Sequence, residues 1–110
     1  MKFDVLTLFP EMFCSLSQSI IGKAIEKDLI NINLVNIRDF SKDKHKKVDD
    51  TPYGGGAGMV LMCQPIFDCI ESIKTNDSYI VMMTPDGERF NQNIAKKFLN
   101  IKHLIHLLIF

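Results

Sequence analysis

The sequence predicts an α/β domain in which helices flank a mainly parallel β-sheet. Two patterns support this fold class: short apolar runs that suit buried strands, and longer segments whose apolar residues recur at helical spacing. The two patterns alternate along 110 residues, which is enough chain for one domain with one core. Such alternation is typical of right-handed crossovers between parallel strands. We therefore expect residues 1–110 to form a single domain.

The first part of the chain predicts a strand, a helical region and a second strand. Residues 3–9 are almost all apolar, as in a strand buried on both faces, and Pro10 ends the run. The next apolar residues recur at helical spacing: Met12, Phe13 and Leu16, then Ile20, Ile21, Ala24 and Ile25. Ser19 can cap the second of these helical pieces. In residues 30–34 apolar residues alternate with asparagines, and Val35 and Ile37 continue the apolar character, which predicts the second strand.

The last part predicts two further helices and two further strands. Pro65 suits the first turn of a helix with the buried stripe Ile66, Phe67, Ile70 and Ile73. Residues 79–83 form a short apolar strand, followed by the turn sequence 84–87, in which proline fixes φ and glycine supplies a positive φ. Asn91 can cap a helix with the inward side chains Ile94, Ala95, Phe98 and Leu99. Residues 104–109 predict the last strand.

A polar segment and a glycine-rich loop separate the second strand from the next helix. Residues 41–50 are nearly all polar or charged, with four lysines around His45, so we expect an exposed segment that contributes nothing to the core. Residues 49–59 contain four of the six glycines, whose backbone can approach a ligand closely. The loop therefore favours ligand binding, a flexible linker being the alternative. The lysines suggest contact with phosphates, or simply a solvated surface.

Several familiar sites are not indicated by the sequence. The glycines do not follow a strand or open a helix as a dinucleotide fingerprint requires, and Met59-Val60 replaces the Lys-Ser/Thr of a Walker loop. His103 and His106 are expected on opposite faces of a strand, so they cannot share a metal. No Ser/His/Asp or Cys/His constellation is supported. Three cysteines without a CxxC pair suit small buried thiols in a reducing compartment.

The overall charge and the hydropathy of the chain indicate its cellular location and the classes of partner that it can attract. The formal net charge is zero, so any attraction to nucleic acid is local and no general affinity for DNA or membranes is expected. The start of the chain lacks the pattern of a secretory signal, and the apolar tract near the end is much shorter than the roughly 20 residues of a membrane span. We expect a cytoplasmic protein.

Three segments carry a resemblance to a known family. Residues 1–13, Ile37-Arg38-Asp39-Phe40 and the glycine-rich residues 49–59 resemble the amino-terminal half of bacterial tRNA (guanine-N(1)-)-methyltransferases, and the similarity extends to about Lys102. The resemblance implies an incomplete SPOUT domain with a trefoil knot. It also implies a homodimer that uses S-adenosylmethionine, with magnesium as a further requirement, to methylate N-1 of the guanosine 3′ of the tRNA anticodon.

The resemblance also implies site residues. Thr84, Pro85 and Gly87 match the loop that lines the adenosine pocket of the donor. The positions that match the part of the family beside the tRNA and its target guanosine are Asp50, Tyr53, Gly54, Gly55, Gly56 and Gly58. Asp86 departs from the Ser-Pro-Gln-Gly that the family often has, which would bring a charge near the cofactor.

The end of the chain departs from the family. After a strand like residues 104–108 the family continues through the rest of the knot, the catalytic residues and a carboxy-terminal tRNA-binding domain, none of which this chain contains. We therefore expect a truncated form that has no catalytic residues, which would lie beyond Phe110, and negligible methyltransferase activity. The alternatives are a non-catalytic RNA- or protein-interaction fragment and a nucleotide-binding module.

Overall fold

A computed structural model of the chain describes residues 1–42, 44–45, 48–50, 60–84 and 86–108. The regular strands and helices are β1 (Lys2–Thr7), α1 (Ile20–Glu26), β2 (Asn31–Asn36), β3 (Asp49–Asp50), β4 (Val60–Leu61), α2 (Cys63–Ile73), β5 (Ser78–Met82), α3 (Gln92–Phe98) and β6 (His103–Leu108). Two 3₁₀ segments, Pro10–Gln18 and Ile37–Phe40, connect some of them. The side chains that the sequence assigned as caps of α1 and α3 do cap them: Ser19 accepts from the amide of Ile21, and Asn91 from that of Ile94.

Four of the strands form one parallel sheet in the order β2-β1-β6-β5, and β3 and β4 form a separate antiparallel pair. The predicted α/β fold with a parallel sheet and flanking helices is thus confirmed. Because all four strands run the same way, their carboxyl ends meet at one edge of the sheet. The segments after β1, β2 and β5 all begin at this edge, where parallel sheets bind their ligands.

The main core lies between the sheet and α2. Leu6, Ile105 and Leu107 are almost fully buried there, together with Cys69 of α2. Side chains alternate along each strand, so their neighbours lie on the other face, where the rings of Phe3 and His106 stack at 5.9 Å. As expected, therefore, the two strand histidines lie on opposite faces of the sheet.

The expectation that residues 41–50 contribute nothing to the core was wrong. Val48 is 1% exposed and belongs to the core cluster with Leu6, Ile37 and Leu107. Its carbonyl also accepts from the amide of Met62 at 2.7 Å. A single apolar residue in a polar segment can be buried when the flanking backbone is held by pairing, a constraint that local composition does not reveal.

Each of the four predicted helix faces includes at least one side chain that the structure leaves exposed. Met12 is 75% exposed because residues 10–18 form a 3₁₀ segment, which aligns residues three apart and leaves Met12 off the face of Phe13 and Leu16. Phe67 is exposed because Ile66, Ile70 and Ile73 point to the core and the next residue is turned away from them. The other predicted apolar positions that are exposed are Ile20, Ile21 and Leu99.

Membrane-spanning helices are not found in the part of the chain that the structure describes.

Candidate functional site

The turn that follows β5 lies at the carboxyl edge of the sheet. Thr84 organises it twice: its carbonyl accepts from the amide of Gly87 at 3.3 Å, and its hydroxyl accepts from the amide of Asp86 at 3.0 Å. The prediction that Gly87 supplies a positive φ was wrong, because its backbone is not in the left-handed region. The threonine hydroxyl stabilises the reversal instead. Pro85, the third predicted donor-binding residue, lies outside the described residues.

A cavity of about 730 Å³ lies between β5, this turn and α3. Thr84 and Gly87 line it, so the two described donor-binding candidates share one concave surface. Three aromatic residues contribute to the wall: the ring centroids of Tyr79 and Phe98 are 5.7 Å apart, and those of Phe90 and Phe98 are 6.1 Å apart. The cavity therefore offers aromatic surface for a flat ring beside a polar turn.

Charged side chains of both signs also line this cavity. Glu88 and Arg89 follow the turn, and Lys97 comes from α3. A ligand with both positive and negative groups would find complementary partners among them.

The glycine-rich loop predicted to contact tRNA lies largely outside the described residues. This applies to Tyr53, Gly54, Gly55, Gly56 and Gly58. The backbone of Asp50, the remaining candidate, lies in β3 and pairs with Val60 of β4. The strand β3 directly follows the buried Val48 in the chain.

The lysine-rich segment is described only in part. Lys42 and Lys44 are exposed, as expected for a segment that contacts solvent or a phosphate backbone. The Nζ of Lys42 lies 4.0 Å from a carboxylate oxygen of Asp68, and its backbone amide donates to the side-chain carbonyl of Gln64. The segment is therefore attached to the start of α2.

A buried polar network on the α2 side of the sheet was not predicted from the sequence. The Nε2 of His103 lies 2.5 Å from an Asp4 carboxylate oxygen, and its Nδ1 lies 2.6 Å from the Ser78 hydroxyl oxygen. Asp4 and His103 are only 1% and 6% exposed. The Ser78 hydroxyl also accepts from the Thr75 amide, and neither Ser78 nor His103 lines the cavity beside α3, so the arrangement does not resemble a hydrolytic site. An acidic residue within a buried strand was the available signal.

The other titratable groups of the core show the effect of burial. Burial, followed by the nearby carboxylates of Asp4 and Asp39, raises the pKa of the Cys69 thiol from 9.0 to about 11. The expectation that Cys14 and Cys63 are buried was wrong, because both are exposed. Burial lowers the pKa of His106.

Among the described residues, no three metal-ligating side chains are grouped as a metal ion would require.

Comparison with known proteins supports the resemblance over almost the whole chain. The family profile described as tRNA (Guanine-1)-methyltransferase TrmD matches residues 1–109. A tRNA (guanine-N(1)-)-methyltransferase of Clostridium botulinum (strain Kyoto / Type A2) is 57% identical over 108 residues, which are 97% of this chain and 45% of that protein. Proteins of the same name from Clostridium kluyveri (strain NBRC 12016) and Clostridium tetani are 55% and 52% identical over 107 residues, 96% of this chain.

The chain spans 45% of the length of the first of these relatives and 44% and 45% of the other two. The matched part includes both β5 with its turn and the glycine-rich segment. From the profile match and these identities, the chain belongs to the tRNA (guanine-1)-methyltransferase family.

Proposed function

We propose that this chain supplies the methyl-donor side of a tRNA guanine-N(1) methyltransferase, with S-adenosylmethionine bound in the cavity between β5 and α3. The proposal rests on one observation: Thr84 and Gly87, in the turn at the carboxyl edge of a parallel sheet, line a cavity of about 730 Å³ that also runs along β5. Ligands of open parallel sheets bind at this edge, and small-molecule sites commonly measure about 300–1,000 Å³. The family membership makes the methyl donor the expected ligand.

The lining suits the chemical groups of this donor. Tyr79, Phe90 and Phe98 offer aromatic surface against which an adenine ring can pack. The donor carries a carboxylate, which Arg89 can bind, as well as a positively charged amine and sulfonium, which the carboxylate of Glu88 favours. When bound, S-adenosylmethionine supplies an electrophilic methyl group.

The reaction requires a nucleophilic nitrogen and a base. A bond forms between guanine N-1 and the methyl carbon, the sulfur–methyl bond breaks, S-adenosylhomocysteine leaves, and the N-1 proton passes to a base. We assign no residue of this chain as that base, because the resemblance puts the family's catalytic residues beyond Phe110. The described residues bind and orient the donor.

We propose that the segment from Asp50 to Gly58 contacts the substrate, the guanosine 3′ of the tRNA anticodon. Backbone N–H groups of a glycine-rich loop can bind a base edge or a phosphate. The exposed Lys42 and Lys44 would attract the RNA backbone without reading its sequence. Homodimer formation, the absence of DNA binding and a cytoplasmic location stay predictions. The requirement for magnesium also stays a prediction.

Calorimetry with the 110-residue chain tests the donor site. We expect S-adenosylmethionine to bind, ATP not to bind, and Phe98→Ala to weaken donor binding at least about tenfold by removing the central ring of the aromatic wall. Phe67→Ala is the matched control, because this exposed phenylalanine lies on α2, away from the cavity. Circular dichroism checks that both variants remain folded.

The donor proposal fails if folded Phe98→Ala binds S-adenosylmethionine as tightly as the unaltered chain, or if ATP binds more tightly than the donor. A transfer assay with a labelled methyl group and a tRNA transcript tests the chemistry separately. We expect the 110-residue chain alone to show negligible transfer, and measurable methylation would contradict the assignment of the base to residues beyond Phe110.

A further inference from the structure

The edge strand β5 has a sequence that leaves its register with β6 weakly specified. Ser78 begins the strand and four apolar or aromatic residues follow, so a shift by one residue still presents apolar side chains on both faces. Burial of the side chains hardly favours the observed register over a shifted one, because Tyr79, Ile80 and Met82 are 51%, 45% and 54% exposed. Another interaction must therefore select the observed alignment, in which Ser78 lies opposite His103.

A chain of hydrogen bonds connects Ser78 to all the other strands of the sheet. The Ser78 hydroxyl pairs with Nδ1 of His103 at 2.6 Å, and Nε2 of the same ring pairs with Asp4 at 2.5 Å. The side-chain amide of Asn33 donates to the other oxygen of Asp4 at 2.9 Å. The chain crosses β5, β6, β1 and β2 in their order in the sheet. The Thr75 amide donates to the Ser78 hydroxyl at 2.8 Å and so fixes the end of this hydrogen-bond chain at β5.

A change of register would break this chain at β5. If β5 moved by one residue, Ser78 would no longer face His103, and Nδ1 of a ring that is only 6% exposed would lose its partner. An unpaired polar atom in such a position is unfavourable, so the network penalises the shifted alignment where apolar packing does not. Buried polar groups that select one register act in this way in other folds.

The register of β5 also determines where the Thr84 turn lies. The strand ends at Met82, and the amide of Met83 donates to the carbonyl of Leu107 at 3.1 Å just before the turn begins. A shift by one residue would move the turn about 3.3 Å along the sheet and exchange the faces of the strand. Displacements of about 1 Å are enough to impair a binding or catalytic site.

We propose that the Asp4–His103–Ser78 network fixes the register of β5 and thereby positions the Thr84 turn for the donor. The second part of this proposal, the positioning of the turn for the donor, rests on the proposed function. His103 and Ser78 are positioning residues on this view, because they bond to one another and to Asp4 on the side of the sheet that faces α2, and neither lines the donor cavity.

The test compares Ser78→Thr with Ser78→Val, two β-branched side chains of similar size that differ in the hydroxyl. Nuclear Overhauser contacts between β5 and β6 report the register directly. We expect Ser78→Thr to keep only the native pairing of Ile80 with Ile105, and Ser78→Val to show additional shifted contacts, with faster hydrogen exchange at the Met83 amide. Donor binding should weaken at least about tenfold in Ser78→Val and little in Ser78→Thr.

The register proposal is overturned if Ser78→Val keeps only native contacts and unchanged exchange at Met83. Ser78→Ala deletes the same hydroxyl without adding bulk, and it is judged by the same criteria if Ser78→Val does not fold. Shifted contacts in a chain whose unaltered form binds no donor would support the register lock and refute the proposed function. Weaker donor binding with a native register would instead refute the lock.

Discussion

Replacing Asp4 by alanine should destabilise the domain more than any exposed acidic substitution. Asp4 is 1% exposed and accepts from Asn33 at 2.9 Å while pairing with His103 at 2.5 Å. Asn33 is exposed, so water can replace the bond that its amide loses. His103 is 6% exposed, so its Nε2 would be left buried without a partner. The expected loss in the free energy of unfolding is about 3 kcal/mol, a large part of the roughly 5–15 kcal/mol of a typical domain.

Urea unfolding followed by far-ultraviolet circular dichroism measures this loss, since the chain contains no tryptophan for fluorescence. Asp77→Ala is the control, because Asp77 is exposed in the turn before β5, and it should change the stability by at most about 0.5 kcal/mol. His103→Ala and the double variant complete a cycle. The double variant should lose at least about 1 kcal/mol less than the sum of the single variants, because removing both partners leaves fewer unpaired groups.

Two results would refute this reasoning. One is a cost of Asp4→Ala that equals that of Asp77→Ala, which would mean that the pair contributes nothing to stability. The other is additivity of the single and double variants to within about 0.5 kcal/mol, which would mean that Asp4 and His103 do not interact energetically.

Two further predictions concern titration in the core. Burial lowers the pKa of His106, so the unfolded chain takes up this proton more readily, and stability should fall as the pH drops below about 6.5. His106→Phe, which keeps a ring against Phe3, should reduce the loss of stability measured by urea unfolding between pH 7 and pH 5, and an unchanged pH dependence would contradict the assignment. Because the pKa of Cys69 is about 11, iodoacetamide at pH 8 should modify the exposed Cys14 and Cys63 and leave Cys69 unmodified until urea is added. Mass spectrometry of digested protein checks this, and rapid modification of Cys69 in the folded chain would be inconsistent with its burial.

Local patterns predicted most of the strands and helices correctly. The hydrophobic period separated β1 and β2 from the helical region between them, and the caps Ser19 and Asn91 marked the starts of α1 and α3. These features depend on residues within a few positions of one another, so the sequence carries them directly. The prediction failed where packing selected among neighbours, as with the exposed Phe67, which local spacing cannot distinguish from Ile66, a partly buried residue packed against the core.

The candidate site also has features that local sequence predicted and features that only the structure shows. Thr84 and Gly87 were predicted from a local motif and its family resemblance, and the structure adds that they line one cavity with Phe90 and Phe98. The backbone conformation of the turn could not be predicted from its glycine. The turn is stabilised by the hydrogen bond from the amide of Asp86 to the hydroxyl of Thr84, and Gly87 does not adopt a positive φ.

The sequence alone determined the fold class, the family and the position of the candidate binding motifs along the chain, since each depends on periodicity or on contiguous residues. Only the tertiary structure decided that Val48 is buried and that Asp4 meets His103 across 99 positions of the chain. The physical reason is that strand order and register determine such contacts, and pairing between distant segments sets both once the sheet has formed.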